Sequence, residues 1–304
     1  MMLDKDIVRF SNKTKTKFLF NYNLKKFNWF NIGGNAKFFF KPESLDQLSQ
    51  FLKEFGHRLN IFVLGAGSNI LLSDKVFDGV VIKLGKNFSN ITLMSNNIII
   101  AGAAVTDKKL SEFACNNSIG GFEFLSCIPG TVGGGLKINS GCYGKEFKDI
   151  LLSIQVIDKR TGIIKTIPSS NIKFSYRKSN INNNYIYLSA SFKGIAKEKV
   201  LIEKEISFFK KKKEIAQPSK IKTGGSTFKN PLNQTNKKVW ELIEKSVPLT
   251  TSFGEAAISK KHCNFMINKG NASFEDMLRL IRFIEKKVKS KTGIKLETEI
   301  EIIE

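Results

Sequence analysis

A glycine-rich segment at residues 128–144 is the feature that most constrains how this chain folds. It contains IPGTVGGG and, three residues later, NSGCYG. Pro129 fixes the backbone at the start, and four of the six residues 130–135 are glycine. Glycine loses more conformational entropy on ordering than any other residue, so this stretch adds little stability by itself. It favours a backbone surface shaped to a flat or phosphorylated ligand, and a purely structural multi-turn loop is the alternative.

A second glycine motif, GAGSN at residues 65–69, follows an apolar strand predicted at 61–64. Glycines let a backbone approach a phosphate closely, while amide groups and the Ser68 hydroxyl donate hydrogen bonds to it. Position 70 is Ile, so the motif is not the Gly-x-Gly-x-x-Gly dinucleotide fingerprint. On its own, the motif is equally consistent with a plain turn.

Apolar periodicity predicts both helices and strands along the 304 residues, which suffice for two or three domains. Ser273 and Asp276 form a capping-box pattern before the last helix. The predicted helices are 42–55, 107–116, 198–214, 237–245 and 273–290. The predicted strands are 61–64, 79–84, 98–101, 154–158, 163–167, 185–192 and 294–303.

Composition excludes several classes of protein. The N-terminus is charged and no run of about 20 apolar residues occurs, which predicts a cytoplasmic protein that does not bind membranes. Four cysteines without CxxC spacing and two histidines offer few ligands, so no metal site is expected. The net charge of +22 comes from 43 lysines and only six arginines. These cations are spread over the chain, which favours a solvated surface over a nucleic-acid-binding face.

Three residues outside the glycine segments indicate an active site only when they are considered together. Arg177 has a planar guanidinium that binds a carboxylate bidentately, although an ordinary ion pair is the simpler interpretation. Ser226 follows two glycines and is equally consistent with a turn. Glu299 fits the outward position of an edge strand.

The order of the short motifs resembles the UDP-N-acetylenolpyruvoylglucosamine reductases, flavoenzymes that make UDP-N-acetylmuramate for peptidoglycan. The resemblance runs from about residue 20 to the C-terminus. The motifs are FNIGG at 30–34, GxGSN at 65–69, IPGTVGG at 128–134, NxGxYG at 139–144, YRxS at 176–179, GSxFxNP at 225–231, SxKHxNF at 259–265 and LxxE at 296–299.

The resemblance implies an α+β fold with a two-lobed FAD-binding unit of vanillyl-alcohol-oxidase type and a smaller α/β substrate-binding domain. Lobe 1 would span residues 1–85, with the C-terminal strand 294–304 returning to it. Lobe 2 would span 86–215 and the substrate-binding domain 216–293. No insertion follows Tyr185, which implies the shorter subtype without a tyrosine-bearing lid loop. A monomer is expected.

The resemblance also implies the chemistry. NADPH would reduce non-covalently bound FAD, and hydride would then pass to the vinyl carbon of a UDP-sugar enolpyruvyl ether. Arg177 would hold the carboxylate, Ser226 would donate the proton, and Glu299 would polarise the enolate or supply the proton through Ser226. Substrate contacts would come from Asn230 and His262. The implied cofactor-binding residues are Gly65, Gly67, Ser68, Asn69, Pro129, Gly130, Thr131, Gly133, Gly134, Gly141 and Tyr143.

The sequence departs from the family at several positions and leaves alternatives open. Gly135, Ser140 and Cys142 are small residues that replace other small residues, so FAD should still fit. Segment 247–252 departs more, and either Lys260 or Lys261 is the candidate for the UDP diphosphate. The alternatives are another FAD oxidoreductase of the superfamily, acting on an alcohol or sugar lactone, and a basic nucleic-acid-binding protein. The preference for NADPH over NADH and any domain motion stay open.

Overall fold

The computed structural model describes residues 2–304, with side chains from Asp4 onwards, and its contacts divide the chain into two compact units. The first unit contains Ala36–Ala66, Asp78–Lys211 and the N-terminal residues up to Tyr22. The second contains Asn23–Asn35, Gly67–Phe77 and Lys212–Glu304. The three-part division proposed from the sequence stays a prediction.

All five predicted helices are present. Helix α2, Leu45–Phe55, starts three residues later than predicted because the Ser44 side chain caps it by accepting a hydrogen bond from the amide of Gln47. The capping box of Ser273 and Asp276 is confirmed at the start of helix α7, Phe274–Thr292, and Gly293 ends that helix with φ of 72°. Between residues 2 and 304 the α-helices are α1 Met2–Thr14, α2 Leu45–Phe55, α3 Asp107–Asn116, α4 Val132–Lys137, α5 Lys199–Ala216, α6 Val239–Ser246 and α7 Phe274–Thr292.

A phenylalanine-rich core supports the first sheet of the first unit. Helix α2 buries Phe51 and Phe55, and Phe18 stacks on Phe40 with ring centroids 4.6 Å apart. Burial of each phenylalanine side chain contributes about 1.5–3 kcal/mol to the free energy of unfolding. The strands lie in the order Phe18–Asn23, Asn35–Phe40, Phe77–Ile82 and Ile61–Val63, and the last two are parallel.

The second sheet of the first unit is antiparallel, with alternating burial along its central strand. Ile186 and Leu188 of that strand join the core of the first sheet, so the two sheets share buried side chains. The strands lie in the order Ile164–Pro168, Leu151–Asp158, Tyr185–Lys193, Ile98–Gly102 and Ile91–Met94. Short pairs join Ile119–Gly120 to Ile195–Ala196, Gly141–Cys142 to Lys145–Glu146, and Phe174–Ser175 to Lys178–Ser179.

The second unit has a four-stranded antiparallel sheet packed against α7. Its strands lie in the order Lys222–Ser226, Phe265–Asn268, Ala256–Ile258 and Ser252–Phe253. A separate parallel pair joins Ile70–Leu72 to Glu301–Ile303. Within residues 2–304, no helix combines the length and the apolarity that crossing a bilayer requires.

The predicted strand at 294–303 is wrong over most of its length, because only Glu301–Ile303 is a strand. The preceding residues run beside segment 227–229 instead. Lys229 N–H donates to Glu297 O at 2.9 Å, and Glu299 N–H donates to Thr227 O at 2.8 Å. This irregular pairing satisfies the backbone groups without a continuous ladder.

Candidate active site

The glycine-rich segment contains a short helix, α4, rather than loop alone. Glycine has a low helix propensity, so this helix needs support from tertiary packing. That support comes from Val132 and Leu136, which are fully buried in the core. Two backbone bonds fix its start: Val132 N–H donates to Val105 O at 2.9 Å and Gly133 N–H to Ala103 O at 3.0 Å. The Pro-Gly turn before the helix is therefore held in one place.

The two glycine motifs meet within the first unit. A Cβ added at Gly65 would lie 2.9 Å from Thr131 Oγ1, and Lys83 Nζ donates to Gly65 O at 2.7 Å. Burial, assisted by the charge of Lys41, lowers the pKa of Lys83. Gly134 is exposed, and a Cβ added there would meet only Thr131 Oγ1, at 3.6 Å. The result is a partly exposed stretch of backbone with a hydroxyl and an ammonium group nearby.

Arg177 lies against the NSGCYG segment. Its Nη2 donates to Gly141 O at 2.9 Å, its Nη1 lies 3.9 Å from Glu146 Oε1, and its guanidinium lies 5.0 Å from the Tyr176 ring centroid. Asn139 Nδ2 donates to Glu146 Oε2 at 2.9 Å. The arginine also adopts a left-handed φ of 54°, so the surrounding contacts hold a strained turn.

Tyr143, in the same segment, is held by helix α5. Its ring stacks on Phe209 with centroids 4.7 Å apart and an interplanar angle of 12°. Its hydroxyl donates to Phe209 O at 3.2 Å. Burial raises the pKa of Tyr143 to about 12, so the hydroxyl stays protonated at neutral pH. The stacked ring and the hydrogen bond fix the turn that Tyr143 and Gly144 form.

In the second unit, Ser226 and Glu299 lie on adjacent segments. Ser226 ends its strand opposite Phe265, and Glu299 N–H donates to the carbonyl of Thr227, the residue after Ser226. Gly225 has φ of 80°, and no heavy atom of the described chain lies within 4 Å of a Cβ built on it. The position of a side chain at residue 225 is therefore open, whereas Gly224 is buried against the Phe30 ring.

The GSN part of the first glycine motif also lies beside Glu299. Asn69 Nδ2 donates to Glu299 O at 3.0 Å, and Glu301 N–H donates to Asn69 O at 3.0 Å. Gly67 accepts a hydrogen bond from Trp29 N–H at 2.9 Å and has φ of 68°. Asn69 thus joins this turn to the segment that carries Glu299.

Asn230 and His262 have their own local partners in the second unit. Asn230 Oδ1 accepts from Val239 N–H at 3.0 Å, at the start of α6. His262 Nδ1 accepts from Asn264 N–H at 3.2 Å. Burial lowers the pKa of His262, so the ring is neutral at neutral pH and carries its proton on Nε2. That N–H is a hydrogen-bond donor.

The structure thus divides the residues predicted from the sequence between its two units. The first holds Gly65, Pro129, Gly130, Thr131, Gly133, Gly134, Gly141, Tyr143 and Arg177. The second holds Gly67, Ser68, Asn69, Ser226, Asn230, His262 and Glu299.

Sequence reasoning missed three residues that contact the predicted site residues. These are Lys83, Glu146 and Phe209. None of the three had a clear signal in the sequence, because Lys83 falls within the predicted strand 79–84 and Glu146 and Phe209 sit in ordinary charged and aromatic surroundings.

Comparison with known families covers most of the chain. Residues 36–167 match the family model described as an FAD binding domain. Residues 217–303 match the model described as the C-terminal domain of UDP-N-acetylenolpyruvoylglucosamine reductase.

Individual proteins of that description are also similar over nearly the whole length. The UDP-N-acetylenolpyruvoylglucosamine reductase of Pelagibacter ubique is 61% identical over 298 residues, which cover 98% of each chain. That of Rickettsia conorii is 44% identical over 283 residues, covering 93% of this chain and 94% of the relative. The crystal structure of UDP-N-acetylenolpyruvylglucosamine reductase from Thermus caldophilus superposes with a TM-score of 0.80 at 27% identity, over 95% of this chain and 99% of that one.

Proposed function

Because the chain belongs to the UDP-N-acetylenolpyruvoylglucosamine reductase family, we propose that it uses NADPH and FAD to reduce the enolpyruvyl ether of UDP-N-acetylglucosamine to UDP-N-acetylmuramate. The family and the α+β fold class predicted from the sequence are confirmed by the same relatives and the superposed structure. The observation that carries the proposal is the pairing of the Ser226 and Glu299 segments through Thr227. The monomeric state stays a prediction.

The first unit offers residues that fit the pyrophosphate of FAD. A side chain at Gly65 would crowd the Thr131 hydroxyl, and Gly134 leaves its backbone exposed. The Thr131 hydroxyl and the Lys83 ammonium are suited to hydrogen bonding and charge pairing with phosphate oxygens. We therefore expect Gly65, Thr131, Gly134 and Lys83 to hold this part of the cofactor. The other predicted cofactor-binding residues belong to the same two glycine-rich segments, 65–69 and 128–144.

FAD, when bound, supplies the transfer of hydride from NADPH to the vinyl carbon of the substrate. Addition of hydride at that carbon leaves negative charge on the adjacent carbon and the carboxylate. The protein must therefore supply a proton to the adjacent carbon and stabilise the carboxylate.

Ser226 is the proposed proton donor. An alcohol is a weak acid, but a carbanionic carbon is basic enough to accept its proton. The flanking Gly225 has no side chain that could crowd the serine, and Glu299 lies on the adjacent segment. We propose that Glu299, acting as the neutral carboxylic acid, polarises the developing enolate through a hydrogen bond or returns its proton to Ser226.

Arg177 is the proposed carboxylate-binding residue. Its hydrogen bond to Gly141 O and its proximity to Glu146 orient the guanidinium, whose planar fork is suited to binding a carboxylate bidentately. In the second unit, the Nε2–H of His262 and the amide nitrogen of Asn230 are the proposed donors to the UDP portion.

Arg177→Lys is expected to slow the reduction of the UDP-sugar without changing the rate at which NADPH reduces the flavin. Lysine keeps the charge but lacks the planar fork, and loss of a charge-assisted hydrogen bond of about 1.5–3 kcal/mol lowers kcat/KM for the UDP-sugar about 10- to 100-fold. Stopped-flow kinetics with each reactant measure the two effects separately. Lys178→Arg, on the exposed neighbouring residue, is the control. Unchanged UDP-sugar kinetics in Arg177→Lys would contradict the assignment.

The absorption spectrum of the purified protein tests the function as a whole. The protein, alone or after addition of FAD, is expected to show the visible flavin bands. NADPH should bleach these bands in the absence of substrate, and the UDP-enolpyruvyl sugar should restore them. A protein that gains no visible bands with FAD would refute the proposal, and a yellow protein that does not respond to the UDP-sugar would indicate a different FAD oxidoreductase.

A further inference from the structure

Asp107 is a fully buried carboxyl group without a hydrogen-bonding partner. It is 0% exposed, and among residues 2–304 neither of its side-chain oxygens has a hydrogen-bond partner. The Ser111 hydroxyl, one turn later on α3, is buried and unpartnered in the same way. Buried polar side chains are nearly always hydrogen-bonded, so an orphaned carboxyl requires an explanation.

Asp107 lies directly beneath the Pro-Gly turn of the proposed cofactor site. Its amide donates to Gly130 O at 3.2 Å, and a β-bridge joins the preceding Thr106 to Thr131. A Cβ added at Gly130 would lie 2.6 Å from Asp107 Oδ2. The carboxyl therefore packs against the bare backbone of Gly130, and a larger residue at either position would displace the turn.

The surroundings of Asp107 favour its neutral form. Burial raises the pKa of Asp107 well above its ordinary value. The start of helix α3 favours a negative charge, but this effect is modest beside desolvation when no donor is bound. Of the titratable groups on the packed elements, Glu123 is paired with Lys197, burial raises the pKa of Tyr187 to about 12, and Cys127 is a buried thiol.

The charged residues of α3 itself point to solvent. Lys108 and Glu112 form an exposed ion pair at 3.5 Å, and Lys109 is also exposed. The Pro-Gly turn contains no titratable side chain. No cation in these elements is therefore placed to compensate an ionised Asp107.

We propose that Asp107 is a positioning residue of the cofactor site, and that its carboxyl must be protonated for the turn around Gly130 to hold the FAD pyrophosphate. This inference rests on the proposed function. Ionised, Asp107 would place a negative charge in a desolvated position beneath a turn that receives an anionic group, where solvent screens repulsion poorly. Cofactor affinity then falls as pH rises.

The same ionisation affects the stability of the protein without cofactor. The pKa of Asp107 is higher in the folded state than in the unfolded state, where it is about 3.9. Its contribution to stability is fully present below about pH 4 and is lost as pH rises through the folded-state pKa. Asp107→Asn is neutral at every pH, so its stability relative to the wild type should increase with pH.

The test is the dissociation constant of FAD between about pH 6 and pH 10, measured by titration of the protein freed of cofactor. Wild-type affinity is expected to fall by up to about tenfold per pH unit above the pKa of Asp107. In Asp107→Asn this dependence should be absent. Ser111→Ala and Ser246→Ala, which each remove a buried unpartnered hydroxyl, should keep the wild-type dependence.

Infrared difference spectra provide a second measurement that does not depend on the variant folding. The wild type should show the carbonyl stretch of a protonated carboxylic acid at neutral pH. Absence of that band, or a dependence of FAD affinity on pH that Asp107→Asn retains, overturns the inference while leaving the proposed function intact. A wild-type protein that binds no FAD at any pH overturns both.

Discussion

The Ser226→Ala enzyme is expected to bleach with NADPH at the wild-type rate and to recover its colour about 10²–10⁴-fold more slowly with the UDP-sugar. Only the second half-reaction needs a proton at carbon, and alanine has none to give. Ser226 ends its strand opposite Phe265 and the alanine side chain is smaller, so the fold should be kept. Stopped-flow absorbance of the flavin bands measures both rates in one preparation.

Ser252→Ala is the matched control for this experiment. Ser252 lies in the same sheet of the second unit, on an exposed edge strand. Its variant should behave like the wild type in both half-reactions. Equal loss of bleaching and recolouring in Ser226→Ala would contradict a proton-donor role and would instead indicate damage to cofactor binding.

Gly67→Ala is expected to destabilise the protein by about 2–5 kcal/mol and to abolish tight binding of FAD. Gly67 has φ of 68°, a left-handed conformation that is unfavourable for alanine. The new Cβ would also lie 2.0 Å from Phe27 O and 2.7 Å from Asn28 Cα, so the backbone must move. Urea unfolding and FAD titration measure the two effects.

Gly293→Ala separates the two causes of that loss. Gly293 has nearly the same φ, 72°, and lies in the same unit at the end of α7, but no heavy atom of the described residues lies within 4 Å of a Cβ added there. Only the conformational cost remains, about 1–2 kcal/mol. If the two variants lost equal stability, the close approach of Gly67 to Phe27 would not contribute to the loss of stability in Gly67→Ala.

Helices with local signals could be predicted from the sequence, and those without could not. Helix α3 was predicted to the residue, and the capping box fixed the start of α7. Helix α4 was missed because three of its six residues are glycine, which disfavours a helix by about 1 kcal/mol each. Only the burial of Val132 and Leu136 explains it, and burial depends on the tertiary fold.

The residues of the candidate site could be predicted from the order of the motifs, but their burial and their hydrogen-bond partners could not. The motifs identified Arg177, Ser226 and Glu299, whose roles stay predictions. They could not reveal that Asp107 is buried without a partner, because an aspartate at the start of a helix is ordinarily a solvated, favourable residue. The role proposed for Lys83 likewise depends on the position of its ammonium group, which donates to Gly65 O. Such features arise from long-range packing.

The bond between Asn69 and Glu299 also bears on how the protein is made. It joins residues 230 positions apart, and the adjacent strand Ile70–Leu72 pairs only with Glu301–Ile303 among the described strands. At ribosomal speeds of about 5–20 residues per second, synthesis of the residues between the two strands takes about 10–50 s. All three of its residues are buried in the finished protein. During synthesis this apolar strand therefore lacks its native partner until residues 301–303 have been made, so the bond between Asn69 and Glu299 is among the last contacts to form.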